Sequence, residues 1–338
     1  MTTLPGDAST LHDDFGDDGA GAPDPGTPAA KAIEGRSLTQ IAWSRMKKDR
    51  VAMAAGVIIV LLVLIAIFAP LLASLSGNSD PNQQFMDSID PNTSMPLGSA
   101  GGISSTHLLG LEPVIGRDVL TRVLLGSRIS LLIATSASLL SLIIGIAMGV
   151  IAGYFGGWID TLISRIMDVF LAFPLLLFAL ALAAIVSDHA FGMSGDTLHI
   201  AMLIFIIGFF GWPYAGRIVR GQTIALRQRE FVDAARVLGA KPRRIIMREL
   251  MPNLVAPILV YGTLLIPANI LFEAALSFLG VGIRPPTPSW GKMLNDAISY
   301  YRVDPAFLII PGAAIFITVM AFNLFGDGLR DAFDPKAH

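Results

Sequence analysis

Six stretches of this chain are each apolar over about 20 residues, the length of helix that crosses the ~30 Å hydrocarbon core of a bilayer. They run from Val51 to about Leu75, Ile129 to Gly153, Ile159 to Val186, Leu198 to Ala215, Leu254 to Leu279 and Phe307 to Phe325. Inside lipid every backbone N–H and C=O must find its partner within the protein, so runs of this kind fold as a bundle of membrane helices. Composition agrees. Of 338 residues 53% are hydrophobic and only 15% charged, too little polar surface for a soluble domain of this size. The expected fold class is therefore all-α and polytopic, with six transmembrane helices. A net charge of −2 argues against nucleic-acid binding. The absence of cysteine removes disulfides, zinc thiolates, iron–sulfur clusters and thiol nucleophiles.

Residues 1–44 differ from the rest. Asp7, Asp13, Asp14, Asp17, Asp18 and Asp24 sit among Gly, Pro, Ala and Thr. Such a segment buries too little apolar surface to offset its ordering entropy, and a disordered, solvated acidic tail is expected there. The apolar run that follows is too long for the core of a secretory leader. Residues 45–338 then form the six-span body.

Orientation follows from Lys and Arg near the span ends. Arg45, Lys47, Lys48 and Arg50 precede the first span. Arg217, Arg220, Arg227, Arg229, Arg236, Lys241, Arg243, Arg244 and Arg248 lie between the fourth and fifth, whereas Ser187 to Thr197 carries none. With six spans, both termini and the basic segment fall in the cytoplasm. The loops at 76–127 and 281–305 then face outside.

The basic segment 230–253, EFVDAARVLGAKPRRIIMRELMPN, is polar between two long apolar runs. Phe231, Ala234, Ala235 and Leu238 recur at helical spacing and give an apolar face. Gly239 suits a left-handed turn. Pro242 suits the first turn of a second helix, Ile245, Ile246 and Leu250 give that helix its apolar side, and Pro252 ends it before the fifth span. Two short helices joined at a sharp elbow are expected. The small Ala234 and Ala235 let the elbow seat in a groove of a partner. The alternative is a basic amphipathic helix lying on anionic lipid. The glycine break and the alanine pair fit it poorly, because lipid binding favours bulky apolar residues.

This pattern resembles the "EAA" loop of binding-protein-dependent ABC importer permeases: Glu-Ala-Ala, three residues, Gly, and a stretch closing in Leu-Pro. Here the acidic position is Asp233, the alanines are Ala234 and Ala235, the glycine is Gly239, and Met251-Pro252 stands for Leu-Pro. Three further stretches are similar to signatures of the dipeptide, oligopeptide and nickel permeases. They are GRDVLTRVLLGSRISL from Gly116 to Leu131, EAALSFLGVGIRPPTPSWGKML from Glu273 to Leu294, and the tail from Gly326 to Pro335. The resemblance covers about Ser44 to Pro335 and is best to the C-type subunit. It implies the type I permease fold in a bacterial inner or plasma membrane, with a second permease subunit completing a heterodimer. It also implies two cytoplasmic ATPases holding ATP and Mg, and an extracellular or periplasmic substrate-binding protein. The ATPase-coupling residues it implies are Glu230, Asp233, Ala234, Ala235, Leu238, Gly239, Ala240 and Pro252. The cargo it implies is di- or oligopeptides, with glutathione or a nickel chelate as alternatives for the same machine. No cofactor, metal ligand or catalytic residue is expected in this chain. A phosphate-binding Walker A loop needs G-x-x-x-x-G-K-[ST], and the only Gly-Lys pair, Gly291-Lys292, is followed by Met293.

Charges inside spans are costly and draw attention. Asp168 lies in the third span with Arg165 one turn before it, either an internal ion pair or part of the translocation pathway. Glu273, deep in the fifth span, either lines the pathway or accepts backbone hydrogen bonds where the helix unwinds toward Gly280. Phe209, Phe210, Trp212 and Tyr214 are read as packing or interface residues. Outside, Arg117, Asp118 and Arg122, with Arg128 further on, form either a docking surface for the binding protein or a short helix with exposed local ion pairs. Gly145, Gly149 and Gly153, each four apart, make a smooth stripe for another backbone, within this bundle or on a second subunit. Two other classes weigh less. A self-powered secondary transporter often carries paired repeats and leaves the elbow without a task. An intramembrane hydrolase needs a nucleophile and base within the spans, and none of His12, His107, His189, His199 and His338 lies deep in one.

Overall fold

The computed structural model describes residues 38–185, 189–190 and 192–333. The acidic tail over 1–37, Val186 at the end of the third apolar run, and Asp334-Pro335 lie outside the described residues. Helix α1 (Leu38–Met46) starts six residues before the expected end of the tail at residue 44. Ala42 and Met46 account for this: both are buried against Ala52 and Ala332, with Phe325, Leu329 and Phe333 around them.

Helix α2 (Arg50–Leu75) is capped by Asp49, whose carboxylate accepts from the amides of Val51 and Ala52. Its buried positions are all alanine (Ala52, Ala55, Ala66, Ala69, Ala73), while Val57, Leu61, Phe68 and Leu71 point outward. Small residues inside and large apolar residues outside is the arrangement expected where lipid is the solvent.

Helix α3 (Val119–Phe155) pairs along most of its length with α6 (Gly195–Arg227). The glycine stripe forms that contact. A Cβ on Gly145 would sit 2.9 Å from the Gly216 amide nitrogen, on Gly149 2.7 Å from the Gly216 carbonyl oxygen, and on Gly153 2.9 Å from that of Arg220. The stripe therefore serves packing within the bundle.

The third span is broken. Helix α4 (Gly157–Ala172) and helix α5 (Leu175–Ile185) meet at Phe173-Pro174 with a 72° bend. Pro174 denies the next turn its amide and turns the chain. The described residues thus hold five straight spans, or six with the bent pair counted as one. A two-stranded hairpin, β1 (His189–Ala190) with β2 (Met193–Ser194), leads into α6.

Helix α7 (Glu230–Val237) follows, then a short turn α8 (Pro242–Arg244), a π-helical turn (Ile245–Leu250) and α9 (Met251–Phe278). Pro252 was expected to end the helix before the fifth span, yet the path is helical from Pro242 to Phe278. A proline ring crowds the carbonyl four residues back and supplies no amide. The wider π turn just upstream, closed by the Met251 amide on the Ile246 carbonyl, takes up the misfit. Helix α10 (Trp290–Ala297) lies between α9 and α11 (Pro305–Phe333). Ala66, Leu131, Ile270, Trp290, Ile315 and Phe322 join α2, α3, α9, α10 and α11 in one core.

The long loop after α2, expected outside, is residues 76–118, shorter than expected, because α3 begins at Val119 with Asp118 as its cap. That end of α3 is wrapped by loop and needs no lipid contact.

Candidate coupling site

The elbow is built by backbone chemistry at Gly239. There φ is +76°, a conformation that only glycine adopts freely. The Ala240 amide donates to the Ala235 carbonyl at 3.0 Å and the Gly239 amide to that of Arg236 at 2.9 Å. This is the double closure of a helix that ends on a left-handed glycine, and the apolar contact it favours is between Ala235 and Ala240, both partly buried in the same cluster. Glu230 and Asp233 lie in the first turn of α7 and Arg236 in the last, each the favourable sign for the helix dipole. Asp233 accepts from Arg236 at 2.8 Å.

Val232 roots the elbow. It is fully buried with Val150, Tyr154, Val219, Ile245, Leu250 and Leu254, which come from α3, α6, the π turn and α9. The tip is bare: Val237 is 87% and Leu238 86% exposed, and Ala234, Gly239 and Phe231 are also exposed. Of the four residues expected on one apolar face, Phe231, Ala234 and Leu238 point outward. Ala235 turns inward, because the glycine closure requires it against Ala240. The sequence reading missed Val232 as the anchor and Val237 as half of the tip. An apolar pair standing directly before a glycine is the signal for the latter. A hollow of about 420 Å³ beside the elbow is lined by Ile224, Arg227, Gln228, Asp233 and Arg236. Pro252 lies at the start of α9 and takes no part in the tip.

Asp168 is an ion-pair residue. Its carboxylate meets Arg217 of α6 at 2.6 Å and Arg165 at 3.6 Å, all three side chains being about half exposed or more. Asp160 of α4 is gripped by two guanidinium nitrogens of Arg220, Nε and Nη2, so two ion pairs join α4 to α6.

Glu273 lines no open pathway in this chain and meets no unwound backbone. It is 0% exposed on intact helix, and accepts from Ser130 at 3.0 Å and Ser277 at 2.7 Å. Hydroxyls on α3 and on its own next turn replace the backbone donors expected. Ser130 in turn accepts from the Trp290 amide, which ties α10 to the same carboxylate.

Arg117, Asp118 and Arg122 form neither a docking surface nor exposed ion pairs. All three are buried. Arg117 makes a two-pronged contact with Glu112 at 2.6 and 2.7 Å. Arg122 donates to the carbonyls of Pro81 and Pro286. Asp118 caps α3 through Thr121 and also meets Asn78 and His107. The loop folds back over them with Glu112 paired to Arg117 and the Pro81 carbonyl accepting from Arg122, while Pro286, far along the chain, supplies a second acceptor. Phe209 and Phe210 pack with Phe170, Phe178 and Phe205, Trp212 is buried against Phe170, and Tyr214 is exposed. Among the described residues no group of three or more His, Asp or Glu is placed to hold a metal ion.

The fold and this site define a polytopic α-helical membrane protein that holds a glycine-capped helical elbow clear of its body. Comparison with known proteins gives the class a family. The chain matches the family model "Binding-protein-dependent transport system inner membrane component" over residues 145–338. It also matches "N-terminal TM domain of oligopeptide transport permease C" over residues 37–95. A dipeptide transport system permease protein of Alkalihalophilus pseudofirmus is 42% identical over 295 residues, 87% of this chain and 89% of that one. A glutathione transport system permease protein of Pectobacterium atrosepticum is 40% identical over 294 residues, 87% and 90% of the two chains. Among solved structures, the MetNI methionine ABC transporter in an inward-facing conformation aligns with a TM-score of 0.48 at 18% identity, over 62% of this chain and 94% of that one. The chain belongs to the inner membrane components of binding-protein-dependent transport systems, with the all-α importer permease fold of that family.

Proposed function

We propose that this chain is the C-type permease subunit of an ATP-driven importer of small peptides, and that the elbow at Val237–Gly239 is where a cytoplasmic ATPase grips it. The observation that carries the reading is the contrast within α7: Val232 fully buried at the root, Val237 and Leu238 bare at the tip. Exposed apolar residues on a rigid, capped support are what a partner groove recognises. A second permease subunit completes the pathway, two ATPases supply ATP and Mg, and a binding protein delivers cargo to the outer face. ATP hydrolysis then occurs outside this chain. Both termini face the cytoplasm, which the nine basic residues from Arg217 to Arg248 favour over the Lys- and Arg-free segment from Ser187 to Thr197. Peptide cargo is supported by the dipeptide relative, and glutathione, itself a peptide, by the second.

Leu238→Asp tests the reading. The side chain is exposed, so folding stability should stay within about 0.5 kcal/mol. Peptide uptake by cells should fall to background, and the purified assembly should lose its ATPases. Normal uptake by this variant would sink the coupling role. Competition of labelled dipeptide uptake by excess glutathione separates the two cargo readings.

A further inference from the structure

Helices α1, α2 and α11 enclose an apolar groove of about 410 Å³, apart from the α7 elbow. Met53, Gly56, Val57 and Val60 recur at one face of α2 and form its floor, Trp43 and Met46 of α1 close one end, and Phe325 of α11 forms a wall. Gly56 lets the Phe325 wall pack close on the floor: a Cβ there would meet the Phe325 ring at 3.2 Å. Along α2 the floor from Met53 to Leu61 rises about 12 Å, most of the ~15 Å depth of one leaflet's hydrocarbon. The mouth is basic. Lys47, Lys48 and Arg50 are exposed there, Lys47 lying over the Trp43 ring at 5.3 Å. Trp43 itself is half exposed, as expected of a tryptophan at the membrane–water boundary.

We propose that this groove is a binding site for one anionic phospholipid, with an acyl chain along Met53, Gly56 and Val60 and the phosphate among Lys47, Lys48 and Arg50. Charge complementarity selects this occupant. A basic cluster immediately cytoplasmic to a span attracts anionic headgroups, each Lys or Arg contributing about fivefold in affinity. Lys47, Lys48 and Arg50 stand exposed between α1 and the start of α2, and an apolar helix seated in the same groove would bring them no counter-charge. The lipid would brace α1 on α2 and α11 at the point where the chain enters the membrane.

The test is native mass spectrometry of the full transport assembly purified in mild detergent. Phosphatidylglycerol and phosphatidylcholine of matched chain length are supplied in equal amounts, and retention is read on this chain after it is ejected. One phosphatidylglycerol should be retained in clear preference to phosphatidylcholine. Lys47→Gln and Lys48→Gln should each weaken its retention about fivefold and leave phosphatidylcholine unchanged. Val60→Trp, at a position that faces outward, should fill the groove and displace both lipids. Equal retention of the two lipids by the unaltered chain overturns the proposal, as does phosphatidylglycerol binding that all three variants leave untouched. So does a Val57→Cys variant, its thiol alkylated with a benzophenone maleimide, that on irradiation cross-links to the second permease subunit instead of to a lipid. The readout is lipid on this one chain, so an assembly that fails to form counts against the coupling function and not against the lipid site.

Discussion

Asp118 shows how much one buried carboxylate can organise. It caps α3 through the Thr121 amide, meets the Asn78 side chain at 3.2 Å and the His107 ring at 2.9 Å, and so joins three parts of the outer loop. Asp118→Ala removes a cap, worth about 1 kcal/mol, and strands buried polar groups at about 1–3 kcal/mol more. A drop of at least about 2 kcal/mol in thermal unfolding of the purified protein is expected, with Asp118→Asn much milder because it keeps the cap. Asp304, just before α11, behaves in the opposite way. Burial raises its carboxyl above the usual range, and the Phe307 and Ala306 amides oppose the shift without either oxygen making a well-formed hydrogen bond. A raised folded-state pKa means that the folded protein holds the proton more tightly. The stability this group contributes is full below the unfolded value of 3.8 and is lost as pH rises through the folded value. Asp304→Asn, an equally good cap, should therefore raise the melting temperature at pH 7, and the gain should shrink as pH approaches 4. A gain that grows on acidification would contradict this assignment.

Among the elements, the α3–α6 pair and the α7 elbow, which carries the proposed coupling surface, were legible to different degrees. The spacing of Gly145, Gly149 and Gly153 announced a close helix contact, and the structure supplies its partner. Gly149→Ala should destabilise by about 1–3 kcal/mol, since the new methyl meets the Gly216 carbonyl at 2.7 Å. Gly221→Ala, on an open face of α6, should instead stabilise by up to about 1 kcal/mol through helix propensity. Unfolding of the two variants side by side checks both signs. The elbow was legible because Gly239 and Pro242 are local signals with local causes. Which face of α7 packs was not, because eight residues offer too few turns for periodicity to separate root from tip. The break at Pro174 was hidden for another reason: an apolar run keeps its hydropathy whether straight or bent. The burial of Arg117 and Arg122 depends on Glu112 and on the Pro286 carbonyl, 164 residues away from Arg122, a pairing that no window of sequence contains.

On the scale of the whole molecule, orientation is the property most open to direct test. The chain has no cysteine, so any introduced thiol is the only one present. Val237→Cys and Leu97→Cys are both at exposed positions. In sealed cells a membrane-impermeant maleimide should label the second and spare the first until the membrane is opened. Reversed labelling would overturn the proposed orientation. Should the orientation hold, the helical path from Pro242 to Phe278 acquires a mechanical meaning. Its 37 residues measure about 55 Å, and the π turn carries the helix past Pro252. One end adjoins the elbow, and the other carries Glu273 and, through Ser130, the docked α10. Moving as one body, a helix of that length would turn each degree of tilt at its foot into about 1 Å of travel at its head, so in the proposed coupling it would act as a lever that passes a small movement at the elbow to the opposite side of the membrane.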